Sequence, residues 1–512
     1  MAMAKAAWAY FEAHTQESTG LANAVGDFPS TTMWDTAAYL SALVSARELG
    51  IITKQEFDRR TIKLLATLRS LDLFRGEMPN KVYHTKTAAK VAYNNKPGEV
   101  GYSGMDVGRL LVWLKIIEQR YPYLANAADN VPLRWNFCNA VSDHGYIHSA
   151  GVDPKTGQTT RYREGRLGYE EYAAKGYGLW GFKTTRASRA FPFEIQEIYT
   201  IHVPFDGRDP RSTGQSNYVL SEAYFLDGIE MNFDKPDDKS GDPFVFSNGW
   251  RAEFSMHIYM AQQKRFEKEG ILTARTEHQV EGSPYFVYDS VFADGYNWNT
   301  QDPKGGFHPE RAAIAAKGAL SMWALYDTPY TDELFNAVSD LYDPEKGFDE
   351  GLYENGSGPI PLQTANNNGI ILAALLYKVQ GPILKWLNPG ALLWDTAFQH
   401  DDDVRQAKCL PDQRPLDDCV SCGSKDMPGV PLDLFESCEV IGARGRSEDA
   451  DAEDLAVRNC RPLPYGAEIN PTNRKDIKLP KKGMPRSPAK SSQESTQKAG
   501  ADCPPDQRKS ES

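Results

Sequence analysis

Aromatic side chains almost vanish from the C-terminal part of this chain. Of 10 Trp, 25 Tyr and 22 Phe, only Phe435 and Tyr465 lie beyond residue 400. That stretch also carries 12 of the 32 prolines and six of the seven cysteines. A segment with so little to bury builds no second large core. The 512 residues therefore divide into an aromatic-rich body, read as 1–385, and a Pro-, Cys- and charge-rich tail, 386–512. The tail is expected to be largely irregular and disordered.

Long apolar runs are missing as well. The run from Gly369 to Tyr377 ends at Lys378, well short of the roughly 20 residues a spanning helix requires. The opening MAMAKAAWAYFEAHT has no basic-then-apolar signal pattern and enters an amphipathic helix at once. Positive charge is in deficit: 57 Lys+Arg against 69 Asp+Glu give −12, and aromatics are not interleaved with the cations, which excludes a nucleic-acid groove. The basic patch Arg474–Lys490 sits in Pro-containing low-complexity sequence and reads as a solvated tail.

Several catalytic signatures are absent too. The sequence has no G-x-S-x-G elbow and no phosphate-binding loop. Gly176-Tyr-Gly178-Leu-Trp-Gly181 has the letters of a dinucleotide fingerprint, but a helix precedes it and Phe182-Lys-Thr-Thr185 follows, the wrong context. His144 and His148 are spaced like a zinc pair, yet glycine lies between them and no glutamate base adjoins. No metal and no cofactor is expected. Cys138, the lone cysteine of the body, reads as a small buried hydrophobe. The six tail cysteines read as disulfides made outside the cytosol, because only Cys419-Val-Ser-Cys422 forms the close pair that zinc would need twice.

What is present is helix after helix. Apolar spacing and capping predict helices at Lys5–His14, from Trp34 to Gly50, from Thr53 past Leu68, and from Gly104 to Gln119. Others follow at Leu124–Cys138, Tyr169–Lys175, Tyr218–Glu230, Trp250–Lys268, Pro309–Tyr326, Asp332–Leu341 and Asn368–Val379. Strand signals are short, as at Gly145–His148 and Phe286–Tyr288, with no βαβ alternation. Eleven or so helices with long loops and no fixed repeat fit a mainly α fold, a toroid of paired inner and outer helices, better than a solenoid. Trp34-Asp35 and Met105-Asp106 each begin an apolar helix, a hint of internal repetition.

Chemistry concentrates where carboxylates adjoin aromatics: Trp34-Asp35, Tyr102 to Asp106, Tyr169-Glu170-Glu171-Tyr172, Ser221-Glu222-Ala-Tyr224, Thr276-Glu277-His278, Tyr288-Asp289 and Asp294 to Trp298. Glycoside cleavage uses two carboxyl groups, and flat aromatic faces suit sugar rings. Aspartates at helix starts also serve as caps, so each pair has a structural reading beside the catalytic one. Glu170, flanked by Tyr169, Tyr172, Tyr177 and Trp180, is the expected general acid, since desolvation would raise its pKa. Glu277, Asp289 and Asp294 are candidates for the base. Asp35 and Asp106 are positioning residues or further candidates. Trp34, Tyr102, Tyr169, Trp180, Tyr285 and Trp298 could line sugar subsites, and Arg75, Lys81 and Asn366 could bind hydroxyls.

The segments Phe28–Asp35, Leu73–Lys81, Gly101–Leu110, Gly168–Ala174, Pro284–Tyr288 and Gln363–Asn366 resemble a bacterial family labelled domain of unknown function 3131. The resemblance runs from about Lys5 to Val379. That family is similar, more distantly, to glucoamylase-like and β-1,2-glucan-cleaving glycoside hydrolases. It implies an (α/α)6 toroid with a loop-lined cleft, and an oligo- or polysaccharide partner such as a bacterial glucan or exopolysaccharide. A glycoside hydrolase, inverting in mechanism, is the expected activity. The alternative is a non-catalytic carbohydrate-binding or polysaccharide-assembly protein of the cell envelope. Family resemblance also implies a periplasmic or extracellular location, with an export segment upstream of the given start.

Overall fold

In the computed structural model, residues 1–184, 186–190, 192–233, 250–384 and 406–411 are described, with the backbone of strands Phe435–Gly442 and Ala456–Pro462. All of these belong to the unit Met1–Ile477; the second unit, Lys478–Ser512, lies outside them. The basic patch straddles that boundary and is likewise outside the described residues.

The protein is mainly helical. Its first six helices are α1 (Ala2–His14), α2 (Met33–Glu48), α3 (Lys54–Ser70), α4 (Gly104–Arg120), α5 (Ala125–Asp129) and α6 (Tyr169–Gly178). The remaining ones are α7 (Pro210–Thr213), α8 (Glu222–Met231), α9 (Trp250–Glu269), α10 (Ala316–Leu325), α11 (Pro329–Val338) and α12 (Ala365–Gln380). Even-numbered helices pack in sequence, α2 on α4, α4 on α6, and so on to α10 on α12, and α12 returns to α2. Odd-numbered helices lie outside this closed circuit: α1 against α2 and α12, α3 against α2, α5 against α4, α9 against α8, α11 against α10.

Hydrophobic pattern decides which layer a helix joins. In α12, Ile370, Ile371, Leu372, Ala373 and Ala374 are buried in succession, so the helix is apolar all round. By contrast α3 buries one stripe, Phe57, Thr61, Leu64, Leu65 and Leu68, and turns its charged face to solvent. Close approach in the inner layer depends on small residues. A Cβ on Gly176 would stand 2.1 Å from the Gly108 carbonyl oxygen, and one on Gly108 would stand 2.5 Å from Ala173 Cβ. The fingerprint-like Gly176 thus serves the α4–α6 contact.

Hydroxyl caps fix where the inner helices begin. Thr32 accepts from the Asp35 amide (3.1 Å), Ser103 from the Asp106 amide (3.2 Å) and Thr364 from the Asn367 amide (3.0 Å). Short antiparallel strands join the helices, among them Gly101–Tyr102 with His148–Val152, and Glu277–Gln279 with Phe286–Asp289.

Some elements depart from the sequence expectation. Leu124–Cys138 holds only the short α5 between 3-10 turns, because Pro132 interrupts the run. Pro309–Tyr326 opens as a 3-10 turn and the strand Ala313–Ala315 before α10 begins. Cys138 is not a buried hydrophobe: it is exposed and forms a disulfide with Cys409. Residues 406–411, assigned to the tail on composition, are thereby tied to the body, with Phe137 N donating to the Lys408 carbonyl (2.9 Å) and Leu410 buried. Nor is the tail wholly irregular, since the two backbone strands pair with Cys438 opposite Cys460. The side chains of Cys419, Cys422, Cys438, Cys460 and Cys503 lie outside the described residues.

The glycine contact gives a direct test. Gly176→Ala should lower unfolding free energy by about 3 kcal/mol, since backbone rather than a flexible side chain must yield. A urea titration monitored by tryptophan fluorescence reads the change in midpoint.

Candidate active site

The first turns of the inner helices converge on one carboxylate, Glu222 at the start of α8. Its Oε1 accepts from Trp34 Nε1 of α2 (3.0 Å) and from Asn366 Nδ2 of α12 (2.9 Å). Its Oε2 accepts from Thr276 Oγ1 (3.3 Å) and pairs with Lys317 Nζ of α10 at 2.5 Å. Arg109 of α4 completes the set, donating to Asn366 Oδ1 (2.7 Å) with its guanidinium 4.5 Å above the Trp34 ring. Both partners of the central pair are out of water, the Glu222 side chain 0% and the Lys317 side chain 3% exposed.

This arrangement splits two neighbouring glutamates. Burial pushes Glu222 up, but Lys317, Arg109 and the Asn366 hydrogen bond outweigh it and hold the carboxylate below its ordinary range. Glu277, half-buried on the strand that follows Thr276, gets the opposite treatment. Burial first, then the negative charge of Glu222, raise its carboxyl to about 7 against the pull of Lys317 and Arg166. One glutamate is held ionised while the other keeps a proton near neutrality, the pattern that assigns acid and base roles.

A second group of carboxyls occupies the starts of α2 and α4. Asp106 is raised to about 6, chiefly by burial and then by the charges of Glu164 and Asp35, with Ser103 and Lys81 opposing. Burial likewise raises Asp35, against Thr32 and Arg109. Both are half-buried and so reach solvent. Between the two groups lies Arg166, which donates to Tyr218 Oη (3.2 Å) and stands 3.8 Å from Glu164 and 4.9 Å above the Tyr169 ring. The Tyr169 hydroxyl is buried beside the Glu277 carboxyl, and its pKa is driven up by burial and by the nearby charges of Glu277 and Glu222.

Of the residues singled out in the sequence, the structure brings together Trp34, Asp35, Asp106, Tyr169, Glu277 and Asn366. Lys81 lies close enough to act on Asp106 and donates to Tyr162 Oη (2.9 Å). Others go elsewhere. Glu170 is buried in a bidentate pair with Arg163, both contacts at 3.0 Å, on a different side of α6 from Tyr169, and burial raises its carboxyl despite that cation. Asp289 is fully buried, held by Arg275 (3.0 Å), Thr300 Oγ1 (2.7 Å) and the Ala313 amide (2.8 Å), out of contact with solvent. Asp294 occupies a hairpin turn, its amide bonded to Asn217 Oδ1 at 2.8 Å. Tyr102 and Trp180 are core, bonding the carbonyls of Asn139 and Leu111. Trp298 stacks with Tyr199 beneath Arg265, Arg75 is exposed and bonds the Gly157 carbonyl, and Tyr285 projects from a strand end.

Sequence reading passed over Glu222 as a site residue, and over Lys317, Arg109, Arg166 and Glu164. Two of these carried a signal: Lys317 and Arg109 are lone cations in otherwise apolar helical runs, where a charge is retained only with a partner.

Residues 2–381 match the family described as Protein of unknown function (DUF3131). The chain belongs to that family. None of the curated proteins matches. Among solved structures, this DUF3131 protein is similar to a β-1,2-glucanase from Parabacteroides distasonis, at 14% identity and TM-score 0.52, covering 80% of this chain. It spans only 58% of that glucanase's own length. It is also similar to an endo-β-1,2-glucanase from Chitinophaga pinensis solved with sophorotriose and glucose, at 12% identity and TM-score 0.53. There the match covers 79% of this chain and 95% of the other. A glucoamylase-like protein from Bacteroides uniformis gives 13% identity, TM-score 0.53 and the same two coverages. These likenesses establish a shared mainly helical fold.

The central ion pair can be tested without substrate. Lys317→Met strands the Glu222 carboxylate in the interior and should cost about 3–5 kcal/mol at pH 7. In the wild type the lowered Glu222 pKa stabilises the fold above 4.5, its ordinary value, and that contribution is lost as pH falls. Without its cation the buried Glu222 of the variant takes up a proton above 4.5, so the deficit should shrink toward pH 4.5 and further below it. Denaturant titrations at the two pH values measure it, and an unchanged deficit would mean Lys317 acts by packing alone.

Proposed function

We propose that this DUF3131 protein is a glycoside hydrolase acting on a bacterial glucan or exopolysaccharide, with Glu277 as general acid. One observation carries the reading: Glu277, protonated near neutrality, reaches solvent beside a Glu222 carboxylate locked in its ionised form by Lys317. The fold shared with β-1,2-glucan-cleaving enzymes supports a glucan as the first substrate to try. The closed circuit of six inner helices backed by outer ones supports the (α/α)6 toroid, with the cleft at the helix starts.

In the proposed reaction, Glu277 transfers its proton to the glycosidic oxygen as the bond to the anomeric carbon breaks. A water attacks that carbon and gives its proton to a carboxylate of the Asp35–Asp106 pair, inverting the configuration. Glu222 stays charged throughout. Its negative charge keeps the proton on Glu277 until the leaving oxygen takes it, and Arg166 and Asn366 are placed to hold sugar hydroxyls. The Cys138–Cys409 disulfide supports a periplasmic or extracellular location, where such bonds persist.

Glu277→Gln should slow hydrolysis of linear β-1,2-glucan about a thousandfold with unfolding unchanged. Reducing-end release measures it, and near-normal cleavage would reject the assignment. The pH–rate profile should be narrow. Activity falls above about 7 as Glu277 loses the proton it must donate, and below about 6 as Asp106 is protonated and can no longer accept one.

A further inference from the structure

From Glu277 an aromatic face runs outward along the sheet. The strands Glu277–Gln279 and Phe286–Asp289 are antiparallel, with Glu277 opposite Tyr288 and Gln279 opposite Phe286. Directly paired side chains share a face, so these four project together. Burial follows suit: His278, Val287 and Asp289 are buried behind the sheet, while Glu277, Gln279, Phe286 and Tyr288 are half-exposed. Tyr288 is stacked on Tyr218 at 4.3 Å and 15° between planes, and Phe286 meets Tyr288 edge-on at 5.0 Å. At the far end Tyr285 is 67% exposed. Phe307, 63% exposed, lies beside the third strand of the same sheet, where it pairs with Gln301.

A strand buried on one face ordinarily turns polar residues outward. Here the outward face carries two rings, Tyr288 opposite the candidate acid and Phe286 next along the strand, with centroids 5.0 Å apart. The polar groups among them, the Glu277 carboxyl, the Gln279 amide and the Tyr218 and Tyr288 hydroxyls, are hydrogen-bonding groups at the ring edges. Apolar faces with polar groups at their rims fit a sugar ring, which presents C–H surfaces and a fringe of hydroxyls. A lipid or an apolar helix would offer that polar rim nothing to bond.

We infer that Tyr288 and Phe286 form a binding track for consecutive sugar units of one polysaccharide chain, leading away from the bond held at Glu277. This rests on the hydrolase reading above and deepens it: the substrate is a chain several units long, recognised on one side of the cleaved bond.

The test uses full-length Glu277→Gln protein, which holds substrate without turnover, titrated calorimetrically with sophorose, sophorotriose and longer β-1,2-gluco-oligosaccharides. Affinity should rise with length, and adding Phe286→Ala should weaken the longer oligosaccharides about tenfold while leaving sophorose unchanged. Affinity indifferent to length, equal losses at every length, or no binding of any member overturns the track. The hydrolase reading fails separately, by absence of glucan cleavage in the wild-type protein.

Discussion

The rest of the site depends on a lysine and a glutamate that meet out of water. Transferring either Lys317 or Glu222 alone into the interior costs several kcal/mol, and Coulomb attraction offsets that only with good geometry and saturated lone pairs. Here the saturation comes from the starts of other elements: Trp34 on α2, Asn366 on α12 and Thr276 before the Glu277 strand. The pair therefore binds four inner-helix starts to one point. Displacing the start of α8 or α10 strands a charge, and displacing that of α2 or α12 takes a donor from the buried carboxylate.

Having fewer cations than acids has a chemical consequence. Lys317 lies within range of Glu222, Glu277 and Glu350, and its own pKa is raised by all three after burial has lowered it. Contact goes to Glu222. Glu350 instead relies on Thr364 Oγ1 (2.6 Å) and the Gln279 amide (3.0 Å), and burial leaves its carboxyl raised despite Lys317. His278, between them, is pushed toward its neutral form by burial. The interior thus stabilises one carboxylate fully and leaves its neighbours biased toward the protonated state. An acid at Glu277 follows from how that one charge is shared.

How much of this the sequence revealed depends on the range of the interaction. Helix starts were legible because their signals are local: Thr32 before Asp35 and Ser103 before Asp106 are caps within one turn, and both aspartates do reach the site. Helical phase was harder. Glu170 and Glu171 follow Tyr169 in the same aromatic motif, yet the turn of α6 sends Glu170 to Arg163 while Tyr169 faces Glu277. Among the aromatics, Trp34 and Trp180 look equivalent in the sequence, but Trp180 bonds the Leu111 carbonyl inside the core and Trp34 touches Glu222. The Glu222–Lys317 pair was not legible at all, because nothing local in either segment names a partner so distant in the chain.

Composition misled most at the join between body and tail. Scarce aromatics after residue 400 suggested a segment with no reason to adhere, and the apolar contribution is indeed slight: in 406–411 the buried apolar side chain is Leu410. Burying one leucine contributes about 2 kcal/mol, about what fixing one or two backbone residues costs. The backbone bond from Phe137 to Lys408 and the Lys408 ammonium on the Leu133 carbonyl (2.5 Å) add modestly. A covalent bond is what such a segment needs, and Cys138–Cys409 provides it across a sequence separation of 271. The poverty in apolar residues that marks the tail is thus the physical reason its first described segment is held by sulfur.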